Sequence, residues 1–226
     1  MKKHMLVLTA LLCVVAMCLP GCTFLTDVGL AVGGELSPSI IYSMAALSAV
    51  EIRAENSASS KIGSGFFYDN KGTVITNYHV IENCTDITVW TYTGESYKVQ
   101  AVLGYDAVRD IAILETDCTD SEPLRFGTEE VYTGQKVYTL GSSLGLTGTF
   151  SDGMVSCAKR ILNDAEYIQV TAPISPGNSG GPLLDATGHV IGINSACIIE
   201  GQNLNFAIPI GDVSKVSQEN TAMLDA

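Results

Sequence analysis

The strongest constraint on this chain is its punctuation: from Ala49 onward it divides into many short β-rich runs separated by turn residues, with no sustained helical period. The runs are 49–54, 65–68, 73–76, 87–91, 96–103, 111–115, 136–140, 153–158, 167–170, 182–184, 190–194 and 205–208. Asp69-Asn70-Lys71-Gly72, Thr93-Gly94, Thr147-Gly148 and Ala186-Thr187-Gly188 supply turn chemistry between them. Short strands with glycine turns bury their apolar faces as antiparallel sandwiches or barrels, so the expected class is all-β. A short helix is expected at 40–47, inside a tether-like segment 23–48, and another from Ile210 toward the C-terminus. There is no internal repeat and no low-complexity tract.

Composition removes several function classes. Of 226 residues, 46% are hydrophobic and 16% charged, enough apolar material for a sizeable core and too little charge for a disordered polyelectrolyte. Twelve Lys+Arg against twenty-four Asp+Glu give a net charge of −12, which offers no basic surface to a nucleic acid. Residues 1–22 read as a targeting segment: Lys2 and Lys3 lead an apolar run that is short for a membrane span and ends in Leu19-Pro20-Gly21-Cys22. That ending resembles a bacterial lipobox with Cys22 as the lipidated residue, although Pro20 departs from the small or apolar residue usual there. Cleavage at an ordinary signal-peptide site and an uncleaved anchor are the alternatives. A lipid at Cys22 would hold the protein on a membrane of the cell envelope without spanning it.

Without the leader, His79 and His189 are the remaining histidines, so no multi-histidine metal site is expected, nor any other cofactor. Cys84, Cys118, Cys157 and Cys197 form no Cys-x-x-Cys pair, which leaves either one or two structural disulfides or buried free thiols.

Ser179 lies in Ser175-Pro176-Gly177-Asn178-Ser179-Gly180-Gly181-Pro182, too rich in Gly and Pro for a regular strand or helix. In such a tight loop the amides of Gly177 and Ser179 can face one space and hold the negative oxygen of an acyl-transfer intermediate. The plain alternative is a glycine turn with a solvent-facing serine. His79 follows the run at 73–76, where a rigid sheet can aim it into a cleft, though a lone histidine is more often structural. Asp110 precedes the apolar Ile111-Ala112-Ile113-Leu114 and, alone, is an ordinary strand-start aspartate. The conjunction changes the weighing. A serine hydroxyl needs a base, and the base needs a partner that fixes its tautomer; His79 and Asp110 fill those roles for Ser179. His189, beside Gly188, reads as a solvated hairpin residue.

Gly63-Ser64-Gly65-Phe66, Thr76-Asn77-Tyr78-His79-Val80-Ile81, Asp110-Ile111-Ala112-Ile113-Leu114, Pro176-Gly177-Asn178-Ser179-Gly180-Gly181-Pro182-Leu183, Ile191-Gly192-Ile193-Asn194 and Asn205-Phe206-Ala207-Ile208-Pro209 occur in that order. Together they resemble the trypsin-like serine proteases, specifically the HtrA-like branch of bacterial envelope proteases, over residues 49–216. The resemblance implies two antiparallel six-stranded β-barrels, about 49–122 and 123–216, with a tail at 217–226. It implies Ser179 as nucleophile, His79 as general base and acid, Asp110 as its orienter, and the Gly177 and Ser179 amides as oxyanion hole. Extended substrate is expected to add as a strand against Ile193, Asn194, Ser195 and Ala196.

Departures refine the expectation. Asn178 stands where zymogen-activated relatives carry an aspartate that pairs with a freed amino terminus, so cleavage-driven activation is not expected. Pro173 takes the place of trypsin's basic-specific carboxylate, so a small or apolar side chain is the expected preference. Thr171 replaces an aspartate common in HtrA relatives. No PDZ domain is expected after the protease domain, and a trimer is implied by the resemblance alone. The leading reading is an exported, membrane-tethered serine endopeptidase acting on unfolded or partner proteins. The rival from another class is a protease-fold binding or chaperone-like module with an inactive catalytic loop. An esterase lacks the Gly-x-Ser-x-Gly elbow of an α/β pattern.

Overall fold

A computed structural model describes residues 34–143, 145–195 and 204–223. The leader with Cys22, and Ala196 and Cys197, lie outside the described residues. The chain enters through helix α1 (Pro38–Ala46), started by a proline whose fixed φ suits the first turn and whose missing N–H costs nothing there. It then builds β1 (Ala49–Glu55), β2 (Ser60–Phe67), β3 (Thr73–Thr76), β4 (Asp86–Thr91), β5 (Ser96–Asp106) and β6 (Ile111–Thr116). These are ordered β5-β4-β1-β2-β3-β6, and the β5–β6 pairing closes them into a barrel. The second barrel comprises β7 (Lys136–Ser143), β8 (Leu146–Leu162), β9 (Ala165–Val170), β10 (Pro182–Asp185), β11 (Val190–Ser195) and β12 (Asn205–Pro209). It is closed in the order β10-β11-β12-β9-β8-β7.

Every run expected from the sequence falls on a strand, with Tyr68 alone just past the end of β2, and most strands extend further at one or both ends. The largest extension is β8, whose register shifts at Val155/Cys157 and Cys157/Arg160 let a long strand bend and still pair with β7 and β9. The expected C-terminal helix is only a 3₁₀ segment, Ile210–Lys215, and the chain then returns to lay β13 (Ala222–Met223) against β5. A single turn, α2 (Tyr78–Ile81), follows β3 where the sequence shows no helical period.

Each barrel has its own apolar interior, with Ile52, Val74, Val89 and Leu114 in the first and Val137, Val155, Ile168 and Leu183 in the second. A third cluster joins them, with Phe66 and Ile75 from the first barrel packed among Leu140, Leu184 and Ile193 of the second. This shared layer fixes how the barrels meet. Truncating the fully buried Phe66 to alanine is expected to cost about 3–5 kcal/mol. Cys84, Cys118 and Cys157 are free thiols, the first two buried. Among the described residues no helix is long and apolar enough to cross a membrane.

Candidate active site

His79 and Asp110, the expected base and its orienter, both come from the first barrel. His79 sits in α2, directly after β3, and Lys61 on β2 donates from Nζ to the carbonyls of His79 (2.9 Å) and Glu82 (2.7 Å), satisfying acceptors at the end of that turn. Asp110 precedes β6 with φ at +58°, a left-handed conformation uncommon for a residue with a Cβ. The preceding loop prepares it: Asp106 accepts the amides of Val108 and Arg109, both at 2.9 Å, and pairs with the Arg109 guanidinium at 2.6 Å. Burial pushes the Asp106 carboxyl up, but these amides and the guanidinium outweigh it and hold the group below its ordinary range.

Asp110 clamps His79 twice. One carboxylate oxygen accepts the His79 backbone N–H at 2.8 Å, and the other lies 2.7 Å from Nδ1 of the ring. A carboxylate only accepts, so Nδ1 carries the proton and Nε2 is the basic nitrogen. The Asp110 carbonyl accepts from Asn77 Nδ2 at 2.8 Å, and Ser195 Oγ approaches the carboxylate at 3.5 Å. Burial, and then the Asp110 charge, push the Tyr167 hydroxyl above its usual range.

The second barrel supplies the serine loop. Pro176 and Gly177 occupy the centre of a turn closed by Asn178 N–H to the Ser175 carbonyl at 2.9 Å, and Gly177 has φ +98°. Proline followed by a positive-φ glycine is the type II pattern, which sets the face of the loop that the Gly177 amide meets. Ser179, only 4% exposed, is then pinned to the first barrel by the Ser64 amide on its carbonyl at 2.7 Å. Gly180 explains why a glycine follows. Its φ is +87°, and a Cβ there would sit 2.1 Å from the Ser64 carbonyl oxygen and 3.0 Å from the Asn77 amide. The same close approach brings Ser179 beside the segment that carries His79.

The remaining expected residues divide. Ile193 and Asn194 do not offer a free edge, because β11 lies between β10 and β12. Ile193 pairs with Pro182 and Ile208, and the Asn194 amide and carbonyl are taken by Gly181 O and Gly180 N at 2.8 Å each. A substrate strand could begin pairing no earlier than Ser195. That residue is buried and turns its hydroxyl to Asp110, a supporting contact the sequence did not signal. Pro173 is exposed, with its carbonyl 3.4 Å from Thr139 Oγ1; the next residue donates its amide to Asn205 Oδ1 at 3.3 Å, another contact sequence reasoning missed. Asn178 is buried and uncharged. His189 closes the β10–β11 hairpin, with Nδ1 2.6 Å from Thr187 Oγ1.

A profile of the trypsin-like peptidase domain matches residues 63–193, the span containing all three residues of the clamp and loop. The chain belongs to the trypsin-like peptidases. Its similarity to Do-like members is extensive: it is 36% identical over 167 residues to Protease Do-like 1, chloroplastic, of Arabidopsis thaliana, covering 68% of this chain and 38% of that protein. It is 37% identical over 165 residues to a probable periplasmic serine endoprotease DegP-like of Halomonas elongata, covering 70% and 35%. Among solved structures, the serine endoprotease from Yersinia pestis superposes with a TM-score of 0.72 at 28% identity, over 79% of this chain and 64% of that one. The chain thus spans well under half the length of these curated relatives. The trypsin-like frame accounts for the two barrels, with Asp110 gripping His79 in the first and the Ser179 loop of the second held against it.

Proposed function

We propose that this chain is an exported, membrane-tethered serine endopeptidase that hydrolyses exposed segments of unfolded or partner proteins in the cell envelope. The observation that carries the reading is the double clamp of Asp110 on His79, at 2.8 and 2.7 Å, with Ser179 pinned against the same barrel. Ser179 Oγ attacks the scissile carbonyl carbon while its proton passes to His79 Nε2. The carbonyl oxygen becomes an oxyanion facing the Gly177 and Ser179 amides, and Asp110 stabilises the imidazolium. His79 then returns the proton to the leaving amine nitrogen as the C–N bond breaks, leaving an acyl ester on Ser179. Water attacks that ester by the reverse proton path and frees the carboxyl product and the serine hydroxyl.

Relatives named as periplasmic endoproteases support an envelope location. Cys22 is the proposed lipid attachment point, and Cys22→Ser should move the protein out of the membrane fraction. The catalytic reading is tested with casein and a fluorophosphonate probe on the protein lacking its leader. The parent should gain one adduct and cleave casein; Ser179→Ala should do neither, with activity lower by about 10⁴-fold or more. A folded parent that takes no adduct overturns the reading.

A further inference from the structure

Ser64 is fully buried on β2 of the first barrel, yet its hydroxyl reaches the turn that orients the proposed oxyanion amides. Its Oγ lies 2.6 Å from the Gly177 carbonyl oxygen and 2.8 Å from the Ser142 amide nitrogen. An amide can only donate and a carbonyl can only accept, so the hydroxyl has one arrangement: it takes the Ser142 N–H and gives its own proton to Gly177. Two glycines of the second barrel make room for it. A Cβ on Gly141 would stand 2.8 Å from Ser64 Oγ, and one on Gly181 would stand 3.3 Å from Ser64 Cβ. Ser142 is itself anchored, donating its hydroxyl to Glu51 on β1, a carboxylate also held by Thr147 at 3.0 Å and Arg53 at 2.7 Å. A continuous chain of polar contacts therefore runs from Glu51 through Ser142 and Ser64 to Gly177, crossing between the barrels three times.

We infer that Ser64 is a positioning residue for acyl transfer, holding the Gly177 peptide so that the neighbouring amides face the developing oxyanion. The inference rests on the peptidase reading. Gly177 has no side chain to brace it, and its carbonyl direction depends on the turn-closing bond and on this hydroxyl. Ser64 touches no reacting atom. Its loss should misaim a donor without removing one, which costs less than deleting an oxyanion-hole group outright.

The test compares the parent, Ser179→Ala, Ser64→Ala and Ser64→Cys on a peptide substrate and a peptide boronate, whose adduct places a tetrahedral oxygen in the hole. Ser64→Ala should lower kcat by roughly ten- to a hundredfold and weaken boronate binding in parallel, with KM within about twofold. Ser64→Cys fills the same space with a poor donor, so it should show the same pattern at smaller size and carries the test if the alanine variant does not melt cooperatively. A lower melting temperature with parental kcat would assign Ser64 a purely structural role and overturn the inference. An active parent with unaffected variants sinks this inference alone; a parent that neither hydrolyses nor labels sinks the peptidase reading and this inference with it.

Discussion

The two barrels hold their parts of the site by different means. In the first, His79 and Asp110 are joined within one barrel: α2 leaves β3, β6 pairs with β3, and the carboxylate grips both backbone and ring of the histidine. In the second, Ser179 rides on a loop whose conformation is completed by the other barrel, through the Ser64 amide on its carbonyl and the Ser64 hydroxyl on Gly177. The His79–Asp110 pair is thus a property of one barrel, whereas the loop of Ser179, the proposed nucleophile, is a property of the interface. Perturbing the interface should disorder the loop first and leave the imidazole–carboxylate pair in place.

Gly180→Ala should break this asymmetry most severely. Its Cβ would meet the Ser64 carbonyl at 2.1 Å in a positive-φ conformation, so the loop must move or the interface must open. Hydrolysis should fall by about 10³-fold or more and urea unfolding should show a loss of about 3 kcal/mol. The downfield proton resonance of His79 Nδ1–H should persist in the folded variant; its disappearance would show that the pair also depends on the interface. Asp110→Asn attacks the other side. It should reduce kcat by roughly 10³–10⁴-fold, because an amide can present the wrong partner to Nδ1 and fix the wrong tautomer. Little change in melting temperature is expected, and a kcat within tenfold of the parent would remove Asp110 from the mechanism.

Ser195→Ala should have a smaller effect, a decrease in kcat of about tenfold or less, because its 3.5 Å contact adds to two shorter bonds on the same carboxylate. The mildest effect concerns acid stability. Burial pushes the Glu51 carboxyl up, but the Ser142 hydroxyl, the Arg53 guanidinium and the Thr147 hydroxyl outweigh it and hold the group below its ordinary range. Its folded-state affinity for a proton is therefore lower than in the unfolded chain. The resulting stability is present above the ordinary carboxylate range and is lost as pH falls through the depressed folded value. Denaturation midpoints measured from neutral to acidic pH should decline less steeply in Glu51→Gln than in the parent; identical slopes would remove Glu51 from the interface account.

Much of this was legible in the chain. Alternating apolar residues and turn glycines placed the strands because the strand period and turn chemistry are local properties. The Ser179, His79 and Asp110 blocks stood out as candidates because each combines a residue type capable of acyl-transfer chemistry with a distinctive neighbourhood. Ile193 and Asn194 were misread as a substrate edge because a strand's sequence does not show how many neighbours it has; β11 is an inner strand with both sides occupied there. The supporting contacts of Ser195, Ser64 and Glu51 carried no signal: Ser195 was expected only in a substrate edge and Ser64 only in the Gly63-Ser64-Gly65-Phe66 block, and a hydroxyl or carboxylate does not show its distant partner in its neighbours.

What the sequence determined by itself is therefore the twelve strands of the two barrels and the all-β class, which follow from interactions among near neighbours in the chain, and His79, Asp110 and Ser179 as the proposed reactive residues, which follow from their conjunction. Only the tertiary structure decided which strands have free edges, which buried hydroxyls support the loop, and that Ser179 is held by the barrel it does not belong to. Those outcomes depend on contacts between residues far apart in sequence, such as Ser64 and Gly177, whose hydrogen bond exists only once both barrels have closed and met.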